Sequence, residues 1–502
     1  MRCSYCQEIL SFANGWLASR NYGTKGIDES EGSVDFGRMI EPTFLGTRVC
    51  RFASQCSSSH SSFATAWLLV LMTGIVLGEN WPAWRGIRGD GISEESEVPL
   101  DWSTNRNVCW RIPLPDAGNS TPVVWGNRVF VTQSVSEGNR RTLMCFNRRD
   151  GQLLWQAGTT WTEKESGGSS NPPCTPSPVT DGQRVIAWFG SAGIFCYDFE
   201  GHELWRRDLG RQSHPWGYAS SPVLHDELCL LNFGPGSRSF LIALDKRTGR
   251  TVWQNDLPTI GADAKWEDFG GDPKEWEKLG SPKMPEVSGS CATPVVVRTE
   301  GRDEVIVGIP LRMLAFGRKD GAWLWSCEGP NTGIYGSPFV GDGLVALMGS
   351  GLRNTAMVVR PGGRGDVTST HRLWHQLPSN TKACIGSGII YRDHIYLVTM
   401  TGFAQCLKLK TGETVWEQRL STGEGRSGSW SSPVLGAERL YVSNQNADVF
   451  VLRAAPTCEI LATNSIGGEP MNASLAIADN AIFLRTARNL WCIAEPGQST
   501  KD

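Results

Sequence analysis

SSPVLHDELCLLNFGPGSRSFLIALDKRTGRTVWQN, residues 220–255, decides the reading of this chain. It opens with a Ser-Pro-Val strand and a short turn at His225-Asp226-Glu227. An apolar strand over 228–233 follows, then a Gly-Pro-Gly loop and a strand over 240–245. A Lys-Arg-Thr-Gly turn leads into a last strand that ends on Trp253. Four short strands punctuated by Gly, Pro, Asp and Asn predict one small antiparallel sheet.

The closing part of this unit recurs along the chain. CFNRRDGQLLW (145–155), CYDFEGHELW (196–205), ALDKRTGRTVW (243–253), AFGRKDGAWLW (315–325) and CLKLKTGETVW (406–416) share a small residue, a charged turn with Gly, and a Trp. The Gly suits the positive φ of a tight turn, where a Cβ would clash. The Trp carries enough apolar area to tie one sheet to its neighbour. The opening strand recurs too, as STPV at 120, TPSPV at 175, SSPV at 220, ATPV at 292, GSPF at 336 and SSPV at 431, with weaker copies GSGI at 386 and ASLA at 473. Pro at the first residue of a strand costs no ladder hydrogen bond. Pro178 and Pro222 stand 44 residues apart, as do Pro294 and Pro338. A period of that size with several strands per repeat predicts an all-β fold, a β-propeller.

Counting opening strands predicts eight blades over 105–495. The last repeat stops at Leu490-Trp-Cys-Ile-Ala and lacks its Trp strand, whereas Asn107-Val-Cys-Trp110-Arg-Ile-Pro stands alone near the other end. The N-terminal strand is therefore expected to complete the eighth blade and close the ring, leaving no long edge.

These turns, small-x-[Asp/Asn]-x-x-[Thr/Asp]-Gly-x-x-x-Trp, resemble the tryptophan-docking motif of quinoprotein-type propellers. That family holds dehydrogenases dependent on pyrroloquinoline quinone (PQQ) and non-catalytic BamB-like proteins that act in outer-membrane assembly. The chain is closer to the latter. The dehydrogenases commonly carry a vicinal Cys-Cys pair beside the quinone, and no two cysteines here are adjacent. They also need a calcium or lanthanide site of carboxylate and amide oxygens, and the loops entering the blades are poor in Asp and Glu apart from Glu469.

Lys and Arg number 48 against 51 Asp and Glu, so no basic face for nucleic acid is expected. Residues 1–78 are Ser- and Cys-rich and lead to the apolar run ATAWLLVLMTGIVL at 64–77, short for a spanning helix but of signal-peptide size. They read as a leader that is removed, placing the protein in the periplasm or outside the cell. An uncleaved anchor at 64–78 is the alternative. Residues 79–104 read as a strap over one face, held by Trp81, Trp84 and Trp102, and 496–502 as a tail. Two insertions interrupt the repeat, at 159–174 and 256–290; a short helix is expected over 272–279 in the second. Of 15 cysteines, Cys145, Cys196 and Cys406 occupy the repeat position of Ala243 and Ala315 and read as small core residues.

In a propeller the loops entering each first strand, and those between the second and third, gather at one channel mouth. That places Asn171, His214, Trp216, Tyr218, Tyr335, Lys382, Arg426 and Trp430 together, with Arg312 and Arg353 from the inner loops. Cations among aromatics suit a planar anionic ligand. PQQ with Ca²⁺, an acidic sugar and a peptide carboxylate all answer that description. No metal site stands out, and His371 with His375 falls on a strand and its flank. The expected role is an exported, monomeric binding or assembly module that takes a small anionic ligand or an envelope-protein segment. The alternatives are a PQQ- and metal-dependent dehydrogenase and, further off, a carbohydrate-active enzyme using carboxylates of the insertions.

Overall fold

The unit is built from its tightest turn outward. In the turn after Asp245, the Asp245 carboxylate accepts hydrogen bonds from the backbone N–H groups of Arg247 (3.0 Å) and Thr248 (2.8 Å). Gly249, at φ +70°, then brings the chain round into the outermost strand. Asn147 and Asp198 play the part of Asp245 in their own turns. A side chain that mimics a backbone turn explains the Asp or Asn of the repeat.

The computed structural model describes residues 78–163, 165, 171–212, 214, 216–236, 238–260, 287–330, 334–350, 356–376, 384–423 and 428–496. The leader, the helix expected at 272–279 and the tail from 497 lie outside the described residues. Eight four-stranded antiparallel sheets follow one another as an eight-bladed β-propeller, the first seven with those strands in chain order from the axis outward. Blade one runs over 123–160, and blades two to seven over 179–207, 223–256, 295–328, 339–376, 389–419 and 434–465. Blade eight joins Ala476–Ala478, Ala481–Arg485 and Asn489–Ile493 to the N-terminal strand Val108–Pro113, which pairs antiparallel with Asn489–Ile493. The expected closure is therefore present. Blade four gains a fifth strand, Gly365–Asp366, from the long third-to-fourth connection of blade five. The second insertion leaves and returns through a two-residue ladder, Thr259–Ile260 with Val287–Ser288.

Apolar cores lie between neighbouring blades. Between blades three and four, Leu228, Leu230 and Trp253 pack on Val305, Val307 and Phe316. The repeated Trp ties most of these pairs. Its indole N–H donates to a carbonyl of the next blade's outer turn: Trp155 to Phe199 O (2.8 Å), Trp205 to Lys246 O (3.0 Å), Trp253 to Arg318 O (2.8 Å) and Trp416 to Ala455 O (3.1 Å). Trp110 does the same across the closure, to Arg148 O of blade one at 2.8 Å. The turn Gly of the next blade must also be small for a second reason. A Cβ at Gly321 would stand 2.7 Å from the Trp253 ring, and one at Gly201 2.7 Å from Trp155. Trp325 departs from the pattern and donates to the buried Glu304 carboxylate at 2.7 Å, because the blade-five connection there is expanded.

A second, inner tie runs round the axis. The residue entering each inner strand, just before Pro in six of them, is Ser or Thr, and from blade two onward its hydroxyl accepts the N–H of the matching residue one blade earlier. Thr121 N–H meets Ser177 Oγ (2.9 Å), Ser177 meets Ser221 (3.0 Å), Ser221 meets Thr293 (2.9 Å) and Thr293 meets Ser337 (2.8 Å). The series goes on from Ser337 to Ser387 (2.9 Å), Ser387 to Ser432 (2.9 Å) and Ser432 to Ser474 (3.0 Å).

Candidate functional site

The inner strands leave a cavity on the axis with a volume of about 120 Å³. The hydroxyl ring forms its wall through Thr121, Ser177, Ser221, Thr293, Ser337, Ser432 and Ser474. Asn119, Asn171 and Asn472 add amides from the entering loops, and Tyr335 and Trp430 add aromatic surface. Cys291 also lines the cavity; burial pushes its thiol up to about 12, so it stays neutral and unreactive.

The strap closes one end. Trp81 exchanges backbone hydrogen bonds with Val124 of blade one, and Pro82 O accepts from Thr180 N of blade two at 2.9 Å. On the far side of the axis Arg85 donates to Gly388 O of blade six and Pro433 O of blade seven, both at 2.7 Å. Trp84, between these anchors, lies against the cavity. Trp81 and Trp102 are buried, while Trp84 remains partly open toward the cavity. Its two terminal nitrogens thus cap carbonyls left over where inner strands begin.

Three of the residues expected at the mouth, Asn171, Tyr335 and Trp430, line this cavity together. Trp216 stands at 44% exposure beside it, its carbonyl accepting from Asn171 Nδ2 at 2.8 Å. His214 accepts the Trp216 N–H at 3.3 Å through Nδ1, and burial pushes its pKa below the ordinary value. Tyr218 is buried away from the cavity. Its hydroxyl meets Arg141 at 3.0 Å, and Arg141 pairs with Glu165 at 2.6 Å. Arg312 turns outward to Ser326 Oγ (3.1 Å) and to Asp366 (3.5 Å), two strands from the axis. Arg353, Lys382 and Arg426 lie outside the described residues. Glu469 is held by Thr486 (2.6 Å) and Asn489 (2.7 Å) rather than presented to the axis.

Among the described residues, no Arg, Lys, Asp or Glu lines the cavity. Its chemistry is that of neutral donors and acceptors bounded by aromatic rings. Such a donor set does not fit a calcium or lanthanide ion, which calls for carboxylate oxygens. One other cluster brings His and carboxylates together, His225 with Asp226 and Asp303. Arg318 already pairs with Asp226 at 3.1 Å and with Asp303 at 3.2 Å, supplying the positive charge a metal would bring.

The hydroxyl ring is what sequence reasoning missed. Its signal was in plain view, Ser or Thr immediately before Pro in six of the opening strands. The hydroxyls of Ser177, Ser221, Thr293, Ser337, Ser387, Ser432 and Ser474, however, are used by a backbone group a whole blade away.

The family model described as outer membrane protein assembly factor BamB matches residues 98–233 and 237–500, and the chain belongs to that family. No curated protein matches it. A crystal structure of BamB from Moraxella catarrhalis is similar at 14% identity and a TM-score of 0.52, over 78% of this chain and 98% of that one. The computationally designed Ika8 protein follows at 12% identity and 0.50, over 76% of this chain and 97% of that one. A europium-containing methanol dehydrogenase is also similar, at 11% identity and 0.48, over 83% and 98%. At these identities the likeness concerns the fold alone.

Proposed function

We propose that this chain is an exported propeller that works as a binding or assembly module and receives a segment of an envelope protein at its aromatic mouth. The carrying observation is the cavity. At about 120 Å³ it falls below the roughly 300 Å³ at which small-molecule pockets begin, and it suits one uncharged polar side chain. Three amides and a ring of hydroxyls supply hydrogen bonds, and Trp430 and Tyr335 flank the entrance as anchors of the kind that dominate interfaces. Of the cations expected at the mouth, the described Arg312 turns away from it to Ser326 and Asp366. Among the described residues no helix is long and apolar enough to cross a membrane.

A photo-crosslinking residue in place of Trp216, in intact cells, should trap one envelope protein, and Trp430→Ala should abolish the adduct. Stoichiometric uptake of PQQ with Ca²⁺ by the purified chain, together with reduction of an artificial electron acceptor, would establish the dehydrogenase instead.

A further inference from the structure

Every blade carries the same irregularity in its outermost strand. One extra residue is inserted just before the position that faces the small residue of the third strand. In blade one Cys145 faces Trp155 while Phe146 faces Leu153, so Leu154 is the inserted residue. The same reading gives Leu204, Val252, Leu324, Leu373, Val415 and Leu461 in blades two to seven. All seven are branched aliphatics. In blade eight Cys492 faces Trp110 while Ile493 faces Val108, so the inserted residue is Cys109.

The eighth blade thus breaks the rule with a cysteine, opposite a cysteine. The two thiols are in hydrogen-bonding contact. At such a bulge two residues of one strand, here Cys109 and Trp110, stand against one of the other, Cys492. Cys109 is therefore adjacent to Cys492 across the ladder, where a disulfide needs Cα atoms no further apart than about 7 Å. Blade eight is also where the two ends of the propeller sequence meet, through the pairing of Val108–Pro113 with Asn489–Ile493.

We propose that Cys109 and Cys492 form a disulfide that locks the propeller's seam. Cys109 is exposed and Cys492 buried. The hydrogen bond from Cys109 and its own burial hold the Cys492 thiol well above the ordinary range, so the first attack falls to Cys109. Its thiolate displaces one thiolate from a low-molecular-weight disulfide such as glutathione disulfide. Cys492 then loses its proton and attacks the Cys109 sulfur, releasing the second thiolate. Two protein thiols lose two electrons, one external disulfide gains them, and the two protons end on the two released thiols. Export supplies an oxidising compartment for this step, but the pair's geometry stands apart from whatever the mouth receives.

The test uses the purified full chain, incubated with glutathione disulfide under native conditions, alkylated, digested and mapped by mass spectrometry. The expected product is a peptide pair joined through Cys109 and Cys492. Its formation should raise the melting temperature by on the order of 5–10 °C, a gain that reductant removes, because the bond closes a loop of several hundred residues. Cys109→Leu, which installs the residue type of the other blades, should fold and melt at one temperature with or without reductant. A mixed glutathione adduct that persists at Cys109, a bond from Cys109 to Cys458, the other exposed thiol among the described residues, or a pair that forms only after denaturation would overturn the proposal.

Discussion

Trp253→Ala tests whether the indole ties hold the blades together. Trp253 is 7% exposed, lies on Gly321 of blade four and donates to Arg318 O at 2.8 Å. A buried Trp removes roughly 200 Å² from water, worth about 5 kcal/mol at 25 cal/mol per Å². Truncations of buried Trp to Ala cost about 3–5 kcal/mol once partial collapse is allowed, and that is the expected loss here. Trp253→Phe keeps most of the ring area and gives up the hydrogen bond, so it should cost about 1–2 kcal/mol. Trp323, two residues before Trp325 and 54% exposed, is the control: its Ala variant should stay within about 0.5 kcal/mol of the parent. Urea unfolding of the full chain, followed by far-UV circular dichroism, gives the midpoints and slopes. A Trp253→Ala cost under about 1 kcal/mol would refute the reasoning. So would a Phe variant as damaged as the Ala one, since that would make the hydrogen bond, and not the ring, the tie.

Ser221→Ala leaves the Ser177 N–H without its acceptor and should cost about 1–3 kcal/mol in the same urea assay. Ser221→Thr, the residue found at 121 and 293, should cost far less. Arg85→Ala removes the donor from Gly388 and Pro433 carbonyls; amide hydrogen exchange should then rise over 79–93 while the outer strands stay protected. Burial, aided by the nearby Arg372, pushes the His375 pKa below its ordinary 6.5. The unfolded chain therefore takes up that proton first. The stability gained from keeping His375 neutral is whole above about pH 6.5 and declines as pH falls below it. His375→Gln should flatten the change in urea midpoint between pH 7.5 and 5.5, and an unchanged slope would remove His375 from the account.

The blades were legible because their determinants are local. Asp245, Gly249 and Trp253 lie within one turn and one strand, so their spacing survives in sequence. Where the turn is expanded the signal fades. Trp374 holds the same post in blade five, donating to Leu409 O at 2.8 Å, yet the connection before it contains Gly365–Asp366 and a helical turn, Thr368–His371. His375 lies on the strand Arg372–Gln376 and His371 in the helical turn on its flank. Blade seven has Ala462 at this position, facing Val451. The mouth was harder to read. Strand alternation assigns faces, but Arg312 opens a strand at a loop end, and its direction is settled by Ser326 and Asp366 on strands further out. Asn171, Tyr335 and Trp430 were found because they sit just ahead of inner strands, where the ring's geometry leaves them one place to go.

The inner hydroxyl relay has a direction: from blade one to blade eight, each blade offers an N–H forward to the hydroxyl of the next. Blades two to seven therefore each present a matching plug and socket. A gene duplication that inserted one whole repeat would find both fittings ready, whereas a deletion beginning mid-repeat would leave a donor facing none. The relay thus constrains the phase of the repeat and leaves its copy number to the angle at which neighbouring sheets pack.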